Sequence, residues 1–190
     1  MVMALLLQVT LAFPSSHPCS SLTVRTAVAE ANLLWSRYGV AIDLAVPGGA
    51  AGDSEILTVV VVETPQSPAA GKWRRPLGAV TFDPNGTPAP VITVFLADIL
   101  RFVSGARVLG AVEWQWPRTM RDAIIGRALG RVLAHEIGHY VLRSPRHADA
   151  GLMKPVHVGD ALVGHRRHSF ALSKAEAARI APTQSARGRR

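Results

Sequence analysis

The feature that most constrains the fold is a long segment, residues 120–142, with the periodicity of an amphipathic helix. Its apolar side chains recur every three or four residues and form one wide face, made of Ile124, Ile125, Ala128, Leu129, Val132, Leu133 and Ile137. A helix of this kind is stabilised mainly by packing that face against other elements. Thr119 is placed to cap its start, and Ser144-Pro145 to end it. We therefore expect a domain built around this helix.

The rest of the chain predicts a small mixed sheet and a few shorter helices. Apolar alternation and β-branched runs predict strands at residues 6–13, 40–46, 55–63, 77–82 and 91–96. Helical spacing predicts helices at residues 22–38, 97–103 and 172–180. The run at 55–63 is typical of an interior strand, a turn at 83–86 makes the last two strands a hairpin, and Ser173 caps the last helix.

These elements predict an α+β fold. It would consist of a small mixed twisted sheet, a backing helix, the long helix and a short irregular C-terminal part that ends in a helix. The chain has 190 residues, enough for one domain, which we place at residues 1–182. A basic tail, residues 183–190, is expected to be disordered.

Cysteine content and hydropathy restrict the class of protein further. The single cysteine, Cys19, excludes an intrachain disulfide and is expected to be an inert thiol. No apolar run reaches the roughly 18 residues of a membrane span. Residues 1–13 fit either a first strand or the apolar part of a signal peptide. That choice decides between a cytoplasmic and an exported protein.

The net charge of +8 is unevenly distributed. Residues 96–190 hold 16 Lys and Arg against 7 Asp and Glu, a net charge of +9, and also six of the seven histidines. Histidine density indicates a metal, whereas basic charge indicates an anionic partner. The arginines are dispersed: Arg101, Arg107, Arg118, Arg121, Arg127, Arg131, Arg143, Arg146, Arg166 and Arg167. One cysteine cannot form a zinc-finger pair, so we predict no specific nucleic-acid partner, and an anionic surface remains a candidate.

The long helix carries a His-Glu-Ile-Gly-His motif, with His135, Glu136 and His139 as its polar members. Two histidines four residues apart are separated by about 40° around a helix and about 6 Å along it, so both imidazoles can meet one metal ion. Glu136 lies beside such an ion, where it can take a proton from a metal-bound water. The motif predicts a Zn²⁺ site with a general base.

A catalytic zinc usually has three protein ligands and one open position. His147 is the first candidate for the third ligand, because it follows the helix end at Pro145 and the chain can turn back there. The other candidates lie farther from the motif or are carboxylates: His157, His165, His168, Glu113 and Asp149. The alternative interpretation is that His157, His165 and His168 have no ligand role and belong to a solvated basic loop.

Residues 135–153 resemble the active-site segment of the metzincin zinc peptidases, and more narrowly a group of bacterial metzincin-like proteins with a wider gap before the third histidine. In the usual metzincin pattern, HExxHxxGxxH, the glycine and the third histidine fall where this chain has Leu142 and Pro145. The resemblance implies that His147 is the third ligand. It also implies that Met153, in Gly151-Leu152-Met153, is the Met-turn residue beneath the metal.

The resemblance implies a zinc-dependent metallopeptidase, an endopeptidase that acts on protein or peptide substrates as a monomer. In such a fold the strand at 91–96 would be the edge strand that pairs with an extended substrate, through Val91, Thr93 and Phe95. Two alternatives are a non-catalytic protein stabilised by zinc, and a basic protein that binds nucleic acid or an anionic surface.

Overall fold

A computed structural model describes residues 5–14, 19–45, 55–63, 76–155 and 159–187, with side chains as far as residue 180. Within these residues the chain forms five strands and five helices. The strands are β1 (Leu5–Ala12), β2 (Val40–Leu44), β3 (Glu55–Val62), β4 (Gly78–Phe82) and β5 (Pro88–Phe95). The helices are α1 (Ser21–Trp35), α2 (Leu96–Ser104), α3 (Arg118–Val141), α4 (Gly159–Val163) and α5 (Lys174–Arg187).

The five strands form one mixed sheet in the order β2-β1-β3-β5-β4. Neighbouring strands are parallel except β4 and β5, which form the predicted antiparallel hairpin. The β-branched run of β3 lies in the interior of the sheet, as predicted. Residues 5–12 form an interior strand of the sheet, with Leu7 and Val9 fully buried. The described part of the chain therefore has an α+β fold with a mostly parallel sheet.

The prediction that β5 is the edge strand is wrong. β5 pairs with β3 on one side and with β4 on the other, so the backbone of Val91, Thr93 and Phe95 lies in the interior of the sheet. The hairpin turn folds β4 back onto the outer side of β5, and β4 becomes the edge. The sequence predicted the hairpin but not on which side of β5 the rest of the sheet would pair.

Helix α3 packs closely on α1. A Cβ atom at Gly126 would lie 2.7 Å from the carbonyl oxygen of Thr23, and one at Gly130 would overlap that of Ala27. Two glycines one turn apart therefore let the helix backbones approach each other. The indole Nε1 of Trp35 donates to the carbonyl oxygen of Ala134 at 2.9 Å. These contacts hold the C-terminal half of α3 in place relative to the rest of the domain.

Some element boundaries differ from the predictions. α3 begins at Arg118 after Pro117, without a side-chain cap, so Thr119 lies inside the helix and the predicted cap is wrong. The cap of α5 is confirmed. The backbone amide of Glu176 donates to Ser173 Oγ, and the backbone amide of Ser173 donates to the carboxylate of Glu176. α5 continues to Arg187, past the predicted domain boundary at residue 182. Residues 64–75 and 188–190 lie outside the described residues.

A buried ion cluster ties the C-terminal segment to the core. The carboxylate of Glu30 on α1 accepts from Arg131 Nε at 2.9 Å and from Arg167 at 2.7 and 2.9 Å. Arg131 also donates to the carbonyl oxygens of Ala161, Leu162 and Arg166, and its guanidinium lies over the ring of Phe170. None of the described helices is both long enough and apolar enough to cross a membrane.

Candidate metal centre

The last two turns of α3 place His135 and His139 on one side of the helix, and Glu136, the residue after His135, is buried. His135 Nδ1 lies 2.8 Å from the carbonyl oxygen of Leu152, and His139 Nδ1 lies 2.7 Å from that of Ser144. A carbonyl oxygen can only accept, so in both neutral rings Nδ1 carries the proton and Nε2 presents a lone pair. Backbone groups outside the helix thus select the tautomer that metal ligation needs.

The two Nε2 atoms lie 3.2 Å apart. Two lone pairs at this distance repel each other, and a cation held by both nitrogens removes the repulsion. The value also matches the separation of about 3.3 Å that follows from two tetrahedral ligands at about 2.0–2.1 Å from one zinc. The donor set and its orientation therefore fit a zinc ion.

His147 joins this pair from the loop after α3. The ligand nitrogens of His135, His139 and His147 all lie within 4.8 Å of one another. The ring of His147 stacks on that of His135 and meets that of His139 edge to face. Across the described ranges, no other group of three or more His, Cys, Asp and Glu side chains has its ligand atoms close enough to share a metal ion.

A sharp turn at the end of α3 brings His147 back. Arg143 has a left-handed φ of 48°, and its amide donates to Tyr140 while that of Ser144 donates to His139. This pair of bonds is a Schellman motif, which usually has glycine at the left-handed position. The Ala148 amide then donates to Met153 at 2.9 Å. The chain therefore reverses although Leu142 stands at the glycine position of the metzincin pattern.

Glu136 is held in a narrow space. A Cβ atom at Gly78, the first residue of β4, would lie 2.7 Å from Cγ and Oε1 of Glu136. Burial raises the pKa of Glu136 to about 8, because the charged carboxylate loses its hydration. A cation on the neighbouring histidines would act in the opposite direction.

Desolvation also lowers the pKa of two of the three histidines. Burial is the largest cause at His139, where the nearby His147 adds to the shift and the hydrogen bond to Ser144 opposes it. Burial alone lowers the pKa of His147. Both rings are therefore neutral at neutral pH, which is the form that binds a metal ion.

Met153 is buried beside the motif helix. A Cβ atom at Gly138 would overlap the sulfur of Met153 and lie 3.5 Å from the ring of Trp35. Gly138, the residue before His139, therefore leaves room for the methionine. Gly151 begins this turn with φ of 81°, and the Leu152 amide donates to Ala171 at 2.9 Å. This contact anchors the segment whose carbonyl group orients His135.

The other candidate ligands are not brought to the three histidines. Glu113 forms an ion pair with Arg121 near the start of α3, with 2.6 Å between the charged atoms. Asp149, His165 and His168 are exposed, and none of them belongs to the histidine cluster. The fourth histidine alternative, at residue 157, lies outside the described residues. Tyr140, next to a candidate ligand, donates to Glu55 at 2.5 Å.

Sequence reasoning missed three contributors to the site: Gly78 and the carbonyl groups of Leu152 and Ser144. No local signal marks a backbone carbonyl as a histidine partner, and a glycine that begins a strand has many explanations. No protein-family model matches the sequence, and a search among curated proteins finds no significant match. The resemblance to the metzincin segment therefore stays a prediction that depends on residues 135–153.

Proposed function

We propose that this protein is a zinc-dependent metallopeptidase with a metzincin-like active site. The observation that carries the proposal is the convergence of His135, His139 and His147, whose candidate ligand nitrogens lie within 4.8 Å of one another, together with the burial of Glu136, the residue after His135. A histidine cluster that only stabilised the fold would not need a carboxylate next to its first ligand. The glutamate therefore favours catalysis over a purely structural metal.

The three histidines would hold the ion through neutral imidazole nitrogens, two of them oriented by Leu152 and Ser144. When bound there, zinc would supply Lewis acidity for the attack of water on a peptide carbonyl group near neutral pH. Glu136 accepts the proton of the attacking water on its carboxylate and passes it to the nitrogen of the leaving amine. Met153 packs beneath the helix at Gly138 and supports the ligands from the apolar side.

The substrate would add to β4 rather than to β5. Phe95 donates its amide to Leu77 at 2.9 Å, and in an antiparallel pair the direction of the backbone groups alternates along each strand. The amide and carbonyl groups of Gly78 and Val80 consequently point away from β5, along the edge of the sheet. Because Gly78 is also in contact range of Glu136, an extended peptide on this edge would pass the proposed general base.

The test combines metal content with peptide hydrolysis. The purified wild-type protein should contain one zinc per chain and hydrolyse casein or a peptide library. Glu136→Gln should keep the zinc and lower turnover by about 100-fold to 10,000-fold, the usual range for loss of a general base. His147→Ala should lose zinc. His165 is exposed and lies outside the cluster, so the control variant His165→Ala should keep both zinc and turnover.

Two results would contradict the proposal separately. A wild-type protein that binds zinc but hydrolyses no peptide in the library would favour the non-catalytic alternative. Full zinc retention in His147→Ala would overturn the assignment of the third ligand and leave the rest of the site standing.

A further inference from the structure

The segment between α2 and α3, residues 105–117, presents two large apolar side chains to solvent. Leu109 is 91% exposed and Trp114 is 83% exposed, the two highest values among the large apolar residues described. Trp114 follows Leu109 by only five positions, so their Cα atoms lie at most about 18 Å apart. We name this segment the 105–117 loop.

Leu109 occupies a position where a polar residue is the physically favoured choice. Val108 and Ala111 exchange two backbone hydrogen bonds of 3.0 Å, which makes Leu109 and Gly110 the two central residues of a tight turn. Their φ angles are 52° and 81°, the left-handed values of a type I′ turn, in which Asn-Gly is preferred. A leucine here is unfavourable both for the backbone and for hydration, and within the described residues its exposure leaves little packing to compensate.

Internal hydrogen bonds and a buried tryptophan fix the conformation of the 105–117 loop. Trp116 is buried, and its Nε1 donates to the carbonyl oxygen of Ala111 at 3.2 Å. The amide of Val112 donates to the side chain of Gln115 at 3.0 Å. A preorganised loop loses little conformational entropy when its exposed side chains become buried by a partner.

The surroundings of the loop are positively charged. Residues 96–121 hold four arginines, Arg101, Arg107, Arg118 and Arg121, and two acidic residues, Asp98 and Glu113, a net charge of +2. Both acids form ion pairs with arginines, Asp98 with Arg101 and Glu113 with Arg121. Arg107 and Arg118 are exposed, and α3 begins beside them with no acidic residue in its first turn. This part of the surface therefore attracts anions.

We propose that the 105–117 loop binds anionic lipid bilayers, with Leu109 and Trp114 inserted at the level of the headgroups and Arg107 and Arg118 near the lipid phosphates. A projecting turn with an apolar tip suits insertion into a fluid surface, and tryptophan favours the boundary between headgroups and acyl chains. Basic residues beside an inserted side chain add electrostatic attraction to anionic lipids.

The loop joins α3 at the end of that helix that is remote from the candidate metal centre. His135 lies 17 residues after Arg118 on the same helix, a rise of about 26 Å. The proposal therefore does not depend on the proposed peptidase function. Variants in the loop should leave zinc content and peptide hydrolysis unchanged.

The experiment measures binding of the full chain to vesicles by co-sedimentation. One vesicle preparation contains phosphatidylcholine alone, and the other contains phosphatidylcholine and phosphatidylglycerol in equal parts. The wild type is expected to bind the second preparation at least ten-fold more strongly than the first. Leu109→Asn and Trp114→Ser should each lower that binding about ten-fold, the effect of withholding one large apolar side chain from burial.

Two features of the variants keep the test decisive. Leu109→Asn creates the preferred Asn-Gly turn, so its thermal stability should equal or exceed that of the wild type. Leu33→Gln, which removes a half-exposed leucine from α1, is the matched control and should bind like the wild type. Wild-type binding in both loop variants would overturn the proposal. A wild-type protein that binds neither vesicle preparation would overturn it as well. If the protein binds DNA more strongly than the vesicles, and both loop variants weaken that DNA binding, the loop would be a nucleic-acid site. That result would also overturn the proposal.

Discussion

At the scale of single residues, the environment of Glu136 depends on the lack of a side chain at Gly78. Gly78 has no Cβ, and the space this leaves is taken by Cγ and Oε1 of Glu136. Glycine is otherwise unfavourable at the start of a strand, because it contributes no side chain to packing. The sequence motif identifies Glu136 as the candidate base, but only the tertiary contact identifies the residue that positions it.

Replacement of Gly78 by alanine is expected to displace the carboxylate of Glu136. In a peptide hydrolysis assay, kcat of Gly78→Ala should fall by about 100-fold, the usual effect of misplacing a reacting group by about 1 Å, while KM changes little. Zinc content should stay at the wild-type value, because Gly78 is not one of the candidate ligands. Gly105→Ala is the matched control, since a Cβ atom there meets only carbonyl oxygens at 3.7 and 3.9 Å. Equal kcat values for the two variants would show that Gly78 has no positioning role.

At the scale of elements, several arginines of the basic second half serve internal contacts. Arg131 is fully buried against Glu30, and Arg127 donates to the carbonyl oxygen of Val163 at 2.6 Å. Burial lowers the pKa of Arg131, and the charge of Glu30 opposes that shift. The chain position of these arginines gave no sign that they would make internal contacts. They join α1, α3 and the segment around α4, so part of the charge excess is structural.

Loss of the Glu30 carboxylate should destabilise the fold strongly. Glu30→Gln leaves the buried guanidinium of Arg131 without a counter-charge, and the free energy of unfolding should fall by about 3–5 kcal/mol. Arg121→Ala breaks a partly exposed ion pair with Glu113 and should cost less than about 1 kcal/mol. Urea denaturation of both variants measures the difference. A loss below about 1 kcal/mol in Glu30→Gln would mean that the cluster contributes little to stability.

At the scale of the whole molecule, the candidate metal centre links two parts of the chain. His135 and His139 belong to α3, whereas His147 lies on the loop that continues to the C-terminal helices. Leu152 and Arg179 extend the link, since Leu152 donates to Ala171 and Arg179 donates to Leu142. A ligand that binds only the folded arrangement stabilises it in proportion to the logarithm of its concentration.

Zinc is therefore expected to raise the melting temperature. At a free zinc concentration of about 100 times Kd, the gain of about 2.7 kcal/mol corresponds to about 5–10 °C for a chain of this size. Calorimetry with and without a chelator measures the shift. His139→Ala should abolish it, and His165→Ala should preserve it. An equal shift in all three proteins would place the bound metal outside the histidine cluster.

The sequence by itself determined the features that depend on neighbours along the chain. The periodicity of three to four residues located α3, β-branched runs located the strands, and helical spacing brought His135, Glu136 and His139 to one side of a helix. Turn residues between the last two strands specified their hairpin, and the Ser173 cap marked the start of α5. Interactions over three or four residues suffice for each of these.

Only the tertiary structure decided the features set by residues far apart in the chain. β4, not β5, became the edge of the sheet, because β5 also pairs with β3. The carbonyl group of Leu152 selected the tautomer of His135, and the space beside Gly78 received Glu136. Glu30 paired with Arg131 across 101 positions. Such contacts follow from how elements pack, and packing depends on the shape and burial of all of them together rather than on any local pattern.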